Sequence, residues 1–198
     1  MKRRTFSQAL ALGTLACAAP SLFAQTAEAP GTATAPAMAP EDMRAELKDV
    51  LPDYRLIGKQ RLTYWGFQVY DARLWALPGF RKDNIASQPF ALELAYLRDF
   101  DAIDVAERSI IEMRRSAAIS EVQAKSWIAE MVRVYPDFKK GDRVTGINKP
   151  GTGAAYLVNG KSTGEIRDVE FARLFFGIWL SPKTSEPKLR SALLAGAA

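Results

Sequence analysis

The stretch Arg61 to Trp75 is rich in aromatic and β-branched residues and is broken once, at Gly66, which separates two runs, Tyr54 to Tyr64 and Phe67 to Ala76. That composition predicts two strands bent apart at the glycine. Alternation sorts the second run by face. Phe67, Val69, Asp71, Arg73 and Trp75 fall on one side; Gln68, Tyr70, Ala72 and Leu74 fall on the other. A buried charge needs a partner or a ligand, so the face carrying Asp71 and Arg73 is either the rim of a core or the wall of a pocket. The plainer alternative is a surface salt bridge beside a core strand.

The same patterning divides the rest of the chain. Met43, Leu47 and Val50/Leu51 recur at helical spacing, which predicts a short amphipathic helix ended by Pro52. Pro78-Gly79 and Arg81 to Gln88 read as loop, and Phe90 to Leu97 as a strand with Phe90, Leu92, Leu94 and Tyr96 on one face. A helix opens at Asp101, with Asp104 completing a short capping box. Ile103, Ala106, Ile110 and Met113 form its buried stripe, while Glu107, Arg108, Glu112 and Arg114 face out. A second helix opens on Ser120-Glu-Val-Gln123, buries Ala124, Trp127, Ile128, Met131 and Val134, and stops before Pro136.

Lys139 to Asp142 is a turn, and Arg143 to Lys149 pairs with Ala154 to Val158 across Pro150-Gly-Thr-Gly153. That glycine-rich loop lacks a following helix and a Gly-Lys-Ser/Thr ending, so it is a turn rather than a phosphate cradle. Asn159-Gly160 is a hairpin signal leading into Ser162 to Ile166. Asp168 caps an apolar helix carrying Phe171, Leu174, Phe175, Ile178 and Trp179, and Ser185-Glu-Pro opens a last helix through Leu194. The order is helix, three strands, two helices, three strands, two helices. It predicts an α+β domain in which one antiparallel sheet is covered by helices on one face.

Composition narrows the chemistry. Lys2, Arg3 and Arg4, an apolar stretch from Phe6 to Ala19, and Ser21-Leu-Phe-Ala24 predict a cleavable secretory signal over residues 1–24. Arg3-Arg4-Thr5-Phe6 has the core of a twin-arginine signal, and Leu15-Ala-Cys17 is similar to a lipoprotein box. Residues 25–40, mostly Ala, Thr and Pro, read as a disordered tether, leaving 41–198 as one domain.

Cleavage after Ala24 removes the single cysteine, and the chain has no histidine. Thiol and imidazole catalysis and Cys/His metal sites are thereby excluded, and no cofactor is implied. The net charge of +5 includes three positive charges within the signal, which leaves +2 for the remainder. Basic and acidic residues are interleaved without a basic stripe, which excludes nucleic acid as a partner. The leader's apolar run is too short and impure for a membrane span.

Three runs then resemble one family: Tyr64-Trp-Gly-Phe-Gln-Val-Tyr-Asp-Ala-Arg-Leu-Trp75, Pro136-Asp-Phe-Lys-Lys-Gly-Asp-Arg-Val-Thr-Gly146, and Gly164-Glu-Ile through Phe176-Gly-Ile-Trp-Leu-Ser-Pro-Lys-Thr-Ser-Glu-Pro187. Together they resemble the bacterial chalcone isomerase-like proteins. The resemblance implies an open-faced β-sandwich, a large antiparallel sheet packed by helices around a ligand cleft. It also implies one of two activities, closure of a chalcone to a flavanone or non-catalytic binding of fatty acids. An arginine that holds the substrate in the plant isomerases falls on Arg61, and a strand threonine falls on Asp71. A tyrosine and an asparagine of the first sheet-covering helix fall near Ile103 and near Ser109 or Ile110, so neither is retained.

Cyclisation needs donors to a developing enolate, and that donor set is missing. The expectation is therefore an exported, non-catalytic binder of a small apolar or amphipathic ligand with an anionic end. Arg61 is the anchor, Tyr64, Tyr70 and Tyr96 are hydroxyl partners, and Asp71 and Arg73 support Arg61 or gate the opening. The alternatives are a chalcone-type intramolecular lyase and an interaction module in which Arg61 pairs with Asp71 and the cleft is closed.

Overall fold

The computed structural model describes residues 38–198; the expected signal, and the expected tether up to residue 37, lie outside the described residues. Six strands form one sheet in the order β1 to β6, each antiparallel to its sequence neighbour. They are β1 (Arg55–Tyr64), β2 (Phe67–Ala76), β3 (Phe90–Tyr96), β4 (Arg143–Lys149), β5 (Gly153–Val158) and β6 (Lys161–Ile166). Helices α1 (Ala102–Met113) and α2 (Glu121–Val134) separate β3 from β4, and α3 (Val169–Leu180) and α4 (Pro187–Leu193) follow β6. The architecture is the α+β arrangement that the element order predicts. Among the described residues, no helix is long and apolar enough to cross a membrane.

Local signals explain the boundaries. Ser120 Oγ accepts from Gln123 N at 3.2 Å to cap α2, and Asp168 Oδ1 accepts from Phe171 N at 2.9 Å to cap α3. Asn159 and Gly160 both take positive φ, as a tight hairpin between right-twisted strands requires. Gly58 is needed for packing rather than for a turn. A Cβ there would lie 2.1 Å from the Ala192 carbonyl oxygen, so the end of α4 could not pass over β1.

The two faces of the sheet carry different chemistry. Ala72, Leu74, Phe90, Leu92, Leu94 and Tyr96 meet the helices in the main core, where Phe171 and Phe175 of α3 stack at 5.4 Å. The reverse face carries Trp75, Ala91 and Ile147, covered by Leu47, Leu51 and Tyr54 of the segment before β1, and Met38 packs against this second cluster. The folded chain is therefore entered before Glu41.

Charged groups strap that segment down. Glu93, fully buried, is met by Arg44, Arg73 and Arg143, and Asp42 by Lys59 and Arg73. Trp75 also donates its indole N–H to the Asp42 carbonyl at 2.9 Å.

Several expectations are corrected. The segment around Met43 to Leu51 holds two short 3-10 turns, Pro40–Asp42 and Ala45–Leu47, instead of one helix; ion pairs and a few buried leucines fix it. Asp101 precedes α1 without a side-chain cap, because Asp137 from the far end of α2 accepts from Ala102 N at 2.9 Å. Ile103 is exposed whereas Ser109 and Glu112 are buried, so the inward stripe of α1 is rotated from the one predicted. Finally, Leu62 pairs with Tyr70 but Thr63 pairs with Gln68, which leaves Val69 as an extra residue. This bulge breaks the alternation ahead of Asp71, and Gln68 ends beside Arg61 on the reverse face, 3.0 Å from its guanidinium.

Candidate functional site

A cavity of about 500 Å³ lies between the sheet and the helices. Leu62 and Val69 from the first hairpin, Leu92 and Leu94 from β3, and Val144 and Gly146 from β4 supply its sheet wall. Val105 and Ser109 of α1, with Phe175, Ile178 and Trp179 of α3, close it from the helical side. The volume falls in the range of small-molecule sites, and aliphatic and aromatic carbon dominates the surface. A cleft filled by core is thereby excluded.

Tyrosines supply much of the interior polarity. Tyr70, Tyr96, Tyr135 and Tyr156 all line the cavity, and the last three are buried. Their rings pack edge to face: Tyr70 against Tyr96 at 6.3 Å, and Tyr135 against Tyr156 at 5.2 Å. Burial pushes all four phenol pKa values well up, in Tyr70 against the opposing effect of the bond from Trp179. They are neutral hydrogen-bond donors at physiological pH. Trp179 Nε1 donates to the Tyr70 hydroxyl at 2.9 Å, so that hydroxyl keeps its own proton to offer elsewhere.

Charge sits at the edge. Arg98, Asp104 and Arg108 line the cavity and are exposed. Arg98 lies 5.1 Å over the Phe67 ring and forms no ion pair among the described residues. Arg108 donates to Glu112 Oε1 at 2.6 Å, one helical turn along α1. Glu112 is itself buried in the wall, and its Oε2 has no hydrogen-bond partner among the described residues.

Three of the six residues expected at a ligand site line this cavity, Tyr64 at its exposed edge and Tyr70 and Tyr96 within. Arg61, Asp71 and Arg73 do not. Arg61 and Asp71 pair on the reverse face, Nε to Oδ1 at 2.6 Å and Nη2 to Oδ2 at 2.9 Å, and Arg73 belongs to the ion pairs around Asp42 and Glu93.

The reason is geometric. Alternation on β2 places residues 71 and 73 opposite residues 70, 72 and 74, and the helices cover the even-numbered side. The basic groups that line the cavity are Arg98 and Arg108. Sequence reasoning also missed Tyr135, Tyr156 and Glu112. A signal existed for Tyr156, which lies within the apolar run Ala154 to Val158. None existed for Glu112, which the predicted helical stripe turned outward.

Comparisons with known proteins agree with this architecture. A family model described as chalcone isomerase-like matches residues 61–195. An uncharacterized protein of Haemophilus influenzae is 28% identical over 138 residues, which are 70% of this chain and 66% of that protein, just under two thirds of its length. In three dimensions, the crystal structure of an Arabidopsis thaliana fatty-acid binding protein superposes with a TM-score of 0.54 and 10% identity, covering 72% of this chain and 87% of that one. An open antiparallel sheet covered by helices around a cavity, and a family match over more than half of the sequence, show that this chain belongs to the chalcone isomerase-like family.

Proposed function

We propose that this chain is an exported, non-catalytic binding protein that holds a small apolar ligand with an anionic end, a fatty acid or close analogue, in the cavity between sheet and helices. One observation carries the reading: a cavity of about 500 Å³ walled by aliphatic and aromatic side chains, with guanidinium groups at its edge. A hydrocarbon chain gains about 0.8 kcal/mol for each methylene taken from water, and a carboxylate at the edge keeps its hydration while meeting Arg98 or Arg108. The likeness in fold to a plant fatty-acid binding protein supports the same reading. The signal expected over residues 1–24 supports export.

The test is displacement of a fluorescent fatty acid by palmitate. Wild type should bind the probe and release it to palmitate. Arg98→Ala and Arg108→Ala should each weaken binding by about tenfold, the scale of a hydrogen bond to a charged group. Absence of probe binding to the folded wild type would sink the proposal. N-terminal sequencing of protein from the native host tests export, and an intact Met1 in cytoplasmic material would contradict it.

A further inference from the structure

Among the described residues, only two buried side-chain polar atoms lack a hydrogen-bond partner, Tyr156 Oη and Glu112 Oε2. Both belong to residues that line the same cavity. Tyr156 is fully buried, its ring held by Phe175 at 5.7 Å and Tyr135 at 5.2 Å. The Tyr135 hydroxyl is near enough to direct its hydrogen at the Tyr156 oxygen and draw that phenol's pKa down, though outside normal hydrogen-bond geometry, and the Tyr156 proton itself has no acceptor among the described residues. Glu112 Oε1 is taken by Arg108 at 2.6 Å, while its Oε2 has only the Arg115 Nε at 3.8 Å, beyond hydrogen-bond reach.

A buried polar atom without a partner destabilises the fold, and in native proteins such atoms call for a specific explanation. The two atoms are chemically complementary. A protonated phenol offers a donor, and a carboxylate oxygen offers an acceptor. A plain hydrocarbon chain satisfies neither.

We infer that the cavity is built for an oxygenated apolar ligand, one that presents an acceptor oxygen such as a carbonyl to Tyr156 and a hydroxyl to Glu112. This rests on the binding reading above and narrows its ligand class. Specificity of this kind is steep because an analogue lacking the oxygen leaves the protein groups unpaired in a dry site. Tyr156→Phe keeps the ring and removes only the orphan hydroxyl. Glu112→Gln keeps the shape and replaces one carboxylate oxygen by an amide nitrogen.

The experiment measures displacement of a fluorescent fatty acid by palmitate and by its mono-oxo and mono-hydroxy derivatives. In wild type, the best-placed oxo and hydroxy derivatives should each compete about tenfold better than palmitate. Tyr156→Phe should abolish the oxo preference and melt no lower than wild type. Glu112→Gln should abolish the hydroxy preference and leave the oxo preference in place. If palmitate and its derivatives compete equally in wild type, water serves both atoms and the inference is overturned while fatty-acid binding stands. Failure of every probe and competitor to bind overturns both.

Discussion

Arg44 and Glu93, 49 positions apart in sequence, meet in a two-pronged ion pair with Nε–Oε2 of 2.7 Å and Nη2–Oε1 of 2.6 Å. The pair lies on the face of the sheet that the cavity does not use, and it ties the segment before β1 to the centre of the sheet. Arg143 adds a third contact at 2.7 Å, and the Arg44 guanidinium also lies 5.1 Å over the Trp75 ring. One face is thus closed by charge and the other is left hollow.

Removing Glu93 leaves three guanidinium groups converging on a buried position. Glu93→Gln should lower stability to urea by about 3–5 kcal/mol, the cost of breaking a buried ion pair from one side. The 3-10 segment at Ala45–Leu47 should lose amide-exchange protection first, while the cavity helices keep theirs. Loss of protection in α1 and α3 together with that segment would show that the two faces are not independent.

Arg61→Ala should leave ligand binding unchanged, because its bidentate pair with Asp71 is on the reverse face and exposed to water. The denaturation midpoint should move little. A marked drop in fatty-acid affinity with the fold intact would return Arg61 to the ligand site.

How far the sequence reaches is clearest on β2. Alternation correctly separates Asp71 and Arg73 from Tyr70 and Leu74, and the strand bounds Phe67–Ala76 follow from composition. Alternation does not say which side the helices will cover, because that depends on how α1, after β3, and α3, after β6, return to the sheet. The bulge at Val69 is equally hidden, since no turn residue marks it. The long-range pairs from Arg44 and Arg143 to Glu93 join three distant stretches, and no local pattern records them. Capping by Ser120 and Asp168 was legible because those signals act within one turn.

The buried phenols set a pH limit. An unfolded tyrosine ionises near pH 10, whereas burial holds Tyr70, Tyr96, Tyr135 and Tyr156 in the neutral form to higher pH. Above pH 10 the unfolded chain binds fewer protons than the folded one, so stability should fall as pH rises. At the acid end, burial raises the Asp42 pKa, but bonds from Lys59 and Arg73 outweigh that and leave it below its ordinary 3.8. Its contribution is full above that value and lost as pH drops beneath it. Ultraviolet titration should show four phenols ionising only as the protein unfolds. Six reversible ionisations near pH 10 in folded protein would contradict the buried cage.

Chalcone closure should not be accelerated. Ile103 is exposed and absent from the cavity lining, and Ser109 Oγ already donates to the Val105 carbonyl at 2.7 Å. The two helix positions at which the plant isomerases carry tyrosine and asparagine therefore offer no free donor to an enolate. Loss of enone absorbance should proceed at the spontaneous rate, giving racemic flavanone. Enantioselective closure well above that rate would establish an enzyme.

The most direct test is a crystal structure of the protein with a brominated fatty acid. An anomalous bromine peak is expected inside the cavity bounded by Tyr96, Tyr156 and Trp179, with the carboxylate at the Arg98 and Arg108 edge. A peak on the Arg61 face, or no bound ligand at saturating concentration, would contradict fatty-acid binding in this cavity.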